Sequence, residues 1–201
     1  MARPRKHEDD EILDVARAVF LEHGPAASLQ LVADQVGLSQ PALFKRFGTK
    51  EALLLRALTP STRMPWVERL TAGPDDRPLP EQLLEIGRGA MAFFATSVPC
   101  LLTLRASGLD LRELLGADHA SGPLRVRRAV EGFFAAARAR GLIRHAAPDR
   151  VATALIGSLQ ARALFAHVHG EPLDDAEIEA HTAAVIDLLW TGIAPGQEEM
   201  V

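Results

Sequence analysis

The chain predicts an all-α fold of about nine helices, with a small N-terminal domain followed by a larger helical bundle. Three observations lead there. Apolar residues recur at spacings of three and four along most of the chain. Runs of β-branched residues are scarce, while Ala, Leu and Arg abound. Caps, glycines and prolines punctuate the periodic stretches at intervals that suit helices.

The first helix, over 8–23, sets Ile12, Val15, Ala16, Val19 and Phe20 on one stripe. Its acidic start complements the helix dipole. Ser28 is placed to cap a second helix carrying Leu29, Val32, Ala33 and Val36, and Gly37 supplies the positive φ that a helix end favours. Leu38 fills the angle to a third helix, capped by Ser39, with Pro41 in its first turn. Leu43 and Phe47, four apart, face inward and leave Gln40, Ala42, Phe44, Lys45 and Arg46 on or beside the outer face. Thr49 caps a fourth helix through Leu53, Leu54 and Ala57, which stops before Pro60.

Residues 59–80 hold five prolines and read as the exit of that helix and a linker, with a short helix around Trp66–Leu70. Helices then follow over 80–96, from Ser97–Pro99 to before Gly116, and over 122–140, 148–169 and 174–193. Asp174 and Glu177 make a capping-box-like start for the last, which forms an αα-hairpin with its predecessor. Gly87 and Gly89, inside a helix, read as points of close packing. The domains are thus 1–58, a linker over 59–80, and 81–201.

Two short helices joined by a glycine turn, the second with its polar face outward, are the layout of a helix-turn-helix. In that element the second helix enters the major groove of DNA. The residues Ala33, Gly37, Leu38, Ser39, Leu43, Phe44, Phe47 and Lys50, with Ile12, Ala16, Phe20 and Gly24 upstream, carry a more specific likeness. Over about residues 8–58 the chain resembles the DNA-binding domain of the tetracycline-repressor (TetR/AcrR) family of bacterial transcriptional regulators.

That resemblance implies DNA contacts from Ser28, Gln30, Ser39, Gln40, Pro41, Phe44, Lys45, Arg46 and Lys50. Gln can bridge adenine N6 and N7, and Arg can bridge guanine O6 and N7. Lys50, poorly placed for the dipole of its own helix, suits a phosphate, and Ser28 and Gln30 suit backbone contacts. Two positions depart from the family pattern. Phe44 stands where members commonly carry a Tyr whose phenol contacts a phosphate, and the chain has no Tyr at all. Ala42 stands where a Thr hydroxyl often contacts DNA, so Gln40, Lys45, Arg46 and Lys50 carry more of the work.

Charge placement agrees. The formal net charge is −4, against indiscriminate nucleic-acid binding. Residues 39–50 nevertheless hold Lys45, Arg46 and Lys50 with no acid, and Arg3, Arg5 and Lys6 form a second basic tip. The single cysteine, Cys100, excludes an intramolecular disulfide and suits a reducing compartment. No signal-peptide pattern and no apolar stretch of membrane-spanning length stand out, so the expected location is cytoplasmic.

His167 and His169, two apart, cannot share a helix face, and no HExxH or CxxC motif is present. No metal or cofactor is expected, and His167 and His181 read as pocket, interface or surface residues. Without a GxSxG elbow or a phosphate-cradling glycine loop, the chain is not expected to be an enzyme.

In the second domain, Phe93 and its apolar neighbours suffice for an ordinary core. The resemblance also implies a small-molecule cavity there, which Met91, Phe94, Leu101, Leu104, Arg105, Phe133, Phe134, Leu155, Leu159 and Gln160 are placed to line. The effector would be small and mostly apolar. On the last two helices Ala154, Gly157, Ala161, Ala180 and Ala184, beside Val185 and Leu189, suit close helix approach and a two-fold homodimer. The resemblance implies a repressor that binds a pseudo-palindromic operator as that dimer and is released when the effector displaces the fourth helix.

Overall fold

Hydrogen bonds local in the chain set most of the helix ends. The structure is a computed structural model that describes residues 9–59, 65–110, 122–144, 146–171 and 173–195. The basic tip Arg3, Arg5 and Lys6 and the helix end expected before Gly116 lie outside the described residues. Among the described residues every regular element is a helix. In order these are α1 (Asp9–His23), α2 (Leu29–Val36), α3 (Gln40–Phe47), α4 (Lys50–Leu58), α5 (Pro65–Leu70), α6 (Leu79–Ala106), α7 (Gly122–Ala139), α8 (Pro148–His169) and α9 (Asp175–Ile193). Ser28, Ser39, Thr49 and Asp174 each accept a backbone N–H in the first turn of the helix that follows. Gly37 and Gly170 end α2 and α8 in the left-handed conformation, at φ 66° and 69°.

The chain divides into two units, Met1–Pro60 with Pro99–His119, and Ser61–Val98 with Ala120–Val201. In the first, Ile12, Ala16 and Phe20 of α1 meet Val32 and Ala33 of α2, Leu43 and Phe47 of α3, and Leu53, Leu54 and Ala57 of α4. Cys100 and Leu104, from the last turns of α6, complete this core. Burial pushes the Cys100 thiol above its ordinary pKa, so the neutral form is held. Arg17 of α1 donates to the Ala57 carbonyl at 2.8 Å, satisfying an end group of α4.

The second unit is built on α5, the first part of α6, and α7–α9, around Leu83, Ile86, Met91, Phe94, Val130, Phe134, Leu155 and Leu159. Here α6 departs from expectation. The sequence suggests a break near residues 96–97, yet α6 is one helix of 28 residues with Pro99 inside it. Pro99 has no N–H for the Ala95 carbonyl, a cost of about 3 kcal/mol. Burial on both sides of it, of Phe94 and Val98 before and Cys100 and Leu104 after, offsets that cost.

Helices α6 and α8 also correct the expectation about membrane-length stretches, because both are long and apolar enough to qualify by length and composition. Met91 and Phe94 of α6 and Leu155 and Leu159 of α8 are fully buried within the protein. A core helix acquires such a composition for that reason.

The two glycines of α6 pack as their position suggests. A Cβ on Gly89 would lie 2.8 Å from the Trp66 ring, and one on Gly87 would collide with Thr182 Cγ2. Arg88, between them, forms a forked ion pair with Glu179 and holds that carboxyl below its ordinary pKa. Gly87→Ala is expected to destabilise the protein by about 1–3 kcal/mol, the usual cost of overpacking. Thermal melting checks this. Gly132→Ala, on open surface of α7, should leave the melting temperature equal or raised.

Candidate nucleic-acid interface

Helix α3 has eight residues, and only Leu43 and Phe47 are buried. Those two fix its rotation. Helical geometry then turns Pro41, Phe44 and Lys45 outward, with Phe44 46% exposed, while Gln40, Ala42 and Arg46 flank them half-buried. The turn from α2 is tight. The Leu38 N–H donates to the Ala33 carbonyl at 3.0 Å and the Gly37 N–H to Asp34 at 3.3 Å. Ser39 Oγ then accepts the Ala42 N–H at 3.3 Å. Both ends of the element are therefore set by the chain itself.

The residues named as DNA contacts are placed differently from one another. The Ser28 and Ser39 oxygens act as caps, which leaves each hydroxyl its proton to donate elsewhere. Gln30 donates to Asp34 of its own helix at 2.7 Å. Lys45 is exposed, and Lys50 is half-buried at the start of α4. A recess of about 330 Å³ in the first unit is bordered by Lys50, Glu51, Leu54, Pro25 and Leu109. The Glu51 carboxyl is held below its ordinary pKa by its own backbone N–H and by Thr49, with Lys50 adding a smaller attraction. Arg46 is engaged within the protein, because its Nε contacts Asp9 Oδ1 of α1. Sequence reading missed this partner, since Asp9 signalled only a favourable charge at a helix start.

The ligand-lining set divides. Met91, Phe94, Phe133, Phe134, Leu155 and Leu159 share the apolar cluster of the second unit, with Gln160 half-buried. Leu101, Leu104 and Arg105 fall in the first unit, where Leu104 joins the core and Arg105 is exposed. Within the second unit a cavity of about 90 Å³ has Trp66, Leu70, Ile86 and Phe133 on its walls, with Gln82 and Glu85 among its polar groups. Gln82 is buried and fully engaged. Its amide donates to the carbonyls of Asp75 and Arg77 and accepts the Asp75 N–H at 2.9 Å. Arg77 bonds Asp75 and Glu85, and Arg69 also reaches Glu85 at 3.1 Å. Apart from Phe133, which the resemblance implies as lining, nothing local in the sequence singles these residues out. Among the described residues no group of His, Cys, Asp and Glu is placed to hold a metal.

On the hairpin, Ala154, Gly157, Ala180 and Ala184 are exposed, and Ala161, Val185 and Leu189 are half-buried. Leu164, Phe165 and Val168 of α8 and Leu188 of α9, at 76% exposure, extend this apolar surface.

A capped two-helix element with a cationic outer face has the architecture of a helix-turn-helix, the element that DNA-binding proteins set into the major groove. Residues 12–57 match the model of the tetR family of bacterial regulatory proteins. That match lies within α1–α4. A curated protein similar to this chain, the HTH-type transcriptional repressor BdcR of Escherichia coli (strain K12), is 28% identical over 99 residues. That match spans about half of each protein, 49% of this chain and 50% of BdcR.

Solved structures share the fold over nearly the whole length. A TetR transcriptional regulator from Agrobacterium tumefaciens has a TM-score of 0.66 at 17% identity, with 94% of both chains covered. The SmeT–triclosan complex has a TM-score of 0.64 at 20% identity, covering 94% of this chain and 92% of SmeT. A TetR-family regulator from Pseudomonas syringae pv. tomato str. DC3000 has a TM-score of 0.64 at 17% identity, covering 94% and 98%.

Proposed function

We propose that this protein is a cytoplasmic transcriptional repressor without catalytic activity, which binds a pseudo-palindromic operator as a homodimer. A small, mostly apolar effector releases it. The carrying observation is the outer face of α3. Pro41, Phe44 and Lys45 stand clear of a helix whose rotation is fixed by Leu43 and Phe47, with Gln40 half-buried beside them. In this reading each subunit sets one α3 into the major groove, at half-sites about 34 Å apart. Gln40 reads a base edge, and Lys45 and Lys50 meet phosphates.

Support for the dimer is the exposed stripe Ala154, Gly157, Leu164, Phe165 and Val168 on α8, with Ala161 half-buried among them, beside Ala180, Ala184 and Leu188 on α9. Small residues let helices approach, and exposed leucine and phenylalanine gain by being covered. Support for an effector site is the apolar wealth of the second unit and the cavity beside Phe133. At about 90 Å³ that cavity is small, so a ligand enters by moving neighbouring side chains. The SmeT complex with triclosan is one protein of this fold with a small molecule bound. Helix α6 supplies residues to both units, 79–98 to the second and 99–106 to the first, and offers a covalent route between effector and DNA. Release requires the effector to favour the state that does not bind DNA, since equal affinity shifts nothing.

DNA selected from a random pool by the purified protein tests the reading directly. Lys45→Ala should weaken binding to every sequence and lower the salt slope by about one. Gln40→Ala should relax preference at one or two positions of the selected site, and equal, sequence-blind losses would remove Gln40 from base readout. For the dimer, Leu188→Arg should yield a folded monomer in sedimentation, because the residue is too exposed to disturb a single chain. A dimer that survives it lies on another face. An apolar effector should raise the melting temperature and release DNA over one concentration range, and Phe133→Trp should blunt both responses. A compound that stabilises the protein without touching DNA affinity breaks the proposed coupling.

A further inference from the structure

The last turn of α3 carries two adjacent cations in opposite circumstances. Lys45 is exposed and makes no ion pair within the protein among the described residues. Arg46 contacts Asp9 of α1 through its Nε, and the other carboxylate oxygen of Asp9 takes Nη2 of Arg56 on α4 at 3.4 Å. Arg56 in turn lies over the ring of Phe47, 4.9 Å from its centroid. Residues of α1, α3 and α4 thus close a loop of contacts around the foot of α3. Asp10 and Glu11 also sit in the first turn of α1, so Asp9 is not needed to complement that helix dipole.

All three charged side chains are partly exposed, so the loop adds little to stability. Its consequence lies in the charge that α3 presents. An arginine in this turn, left free, would be drawn to the nearest phosphate, and phosphate contacts carry no sequence information. We propose that Asp9 is a specificity-determining residue for DNA binding. Its carboxylate holds the Arg46 guanidinium against α1 and withholds one positive charge from the phosphates. Discrimination then rests more heavily on the base-reading side chains. This rests on the reading that α3 binds DNA.

Salt dependence tests it on the full-length protein, because each phosphate neutralised adds about 0.9 to the slope of log affinity against log salt. Asp9→Asn keeps the size of the side chain and removes its charge. Binding to a random-sequence duplex should tighten and its slope should steepen by about one, while the ratio of selected-site to random affinity falls. Arg46→Gln alone should leave the slope near that of the unaltered protein, its charge being already neutralised. The double variant Asp9→Asn/Arg46→Gln should return the slope to that starting value.

Three results would overturn the proposal: an unchanged slope in Asp9→Asn, a slope lowered by about one in Arg46→Gln alone, or one that stays raised in the double variant. The second would make Arg46 a phosphate contact, and the third would make Asp9 a simple repulsive charge. Should Asp9→Asn melt early, Arg46→Gln alone still decides. If the unaltered protein shows no salt-dependent affinity for any duplex, the DNA-binding reading itself fails, and that outcome is separate from all three.

Discussion

The seating of Phe47 in the first core is the contact on which the arrangement of α3 turns. A helix of eight residues has too few internal hydrogen bonds to hold itself in water. It persists because Leu43 and Phe47 bury one side and Ser39 and Gly48 finish its ends. Phe47 does more than fill space. Its ring carries Arg56, Arg56 shares Asp9 with Arg46, and so the aromatic plug fixes both the axis of α3 and the place of a cation beside it. The outward set of Pro41, Phe44 and Lys45 is a geometric result of that inward pair.

What could be read from the sequence divides by distance along the chain. Ser28, Ser39, Thr49 and Asp174 cap as their positions imply, because a cap is made with residues two or three further on. Gly37 and Gly170 are similarly local. Pro99 marks where this kind of reading stops. Its local preference is to end a helix, yet tertiary burial on either side carries α6 through it, so a packing term outweighs a propensity term. That continuation moves Leu104 into the first core and divides a set of residues that reads as one lining in sequence.

The contact of Asp9 with Arg46 bridges 37 positions, and no local pattern encodes it. The same holds for the partners of Gly87 and Gly89. A glycine pair in a helix announces that something comes close, but Thr182 and Trp66 are known only once the second unit is assembled. The helix-turn-helix was legible because almost every constraint on it is local. The wall of the small cavity was not, since Trp66 of α5, Gln82 and Glu85 of α6 and Phe133 of α7 converge only through packing.

Gly87 and Gly89 are two residues apart and therefore about 200° apart around the helix axis. Thr182 of α9 and Trp66 of α5 thus grip α6 from nearly opposite sides, each at a point where only a hydrogen fits. The helix is keyed like a shaft. Rolling it or sliding it by a residue would bring a side chain into one slot or the other. Movement in this part of the second unit is then block movement, with α5, α6 and α9 travelling together.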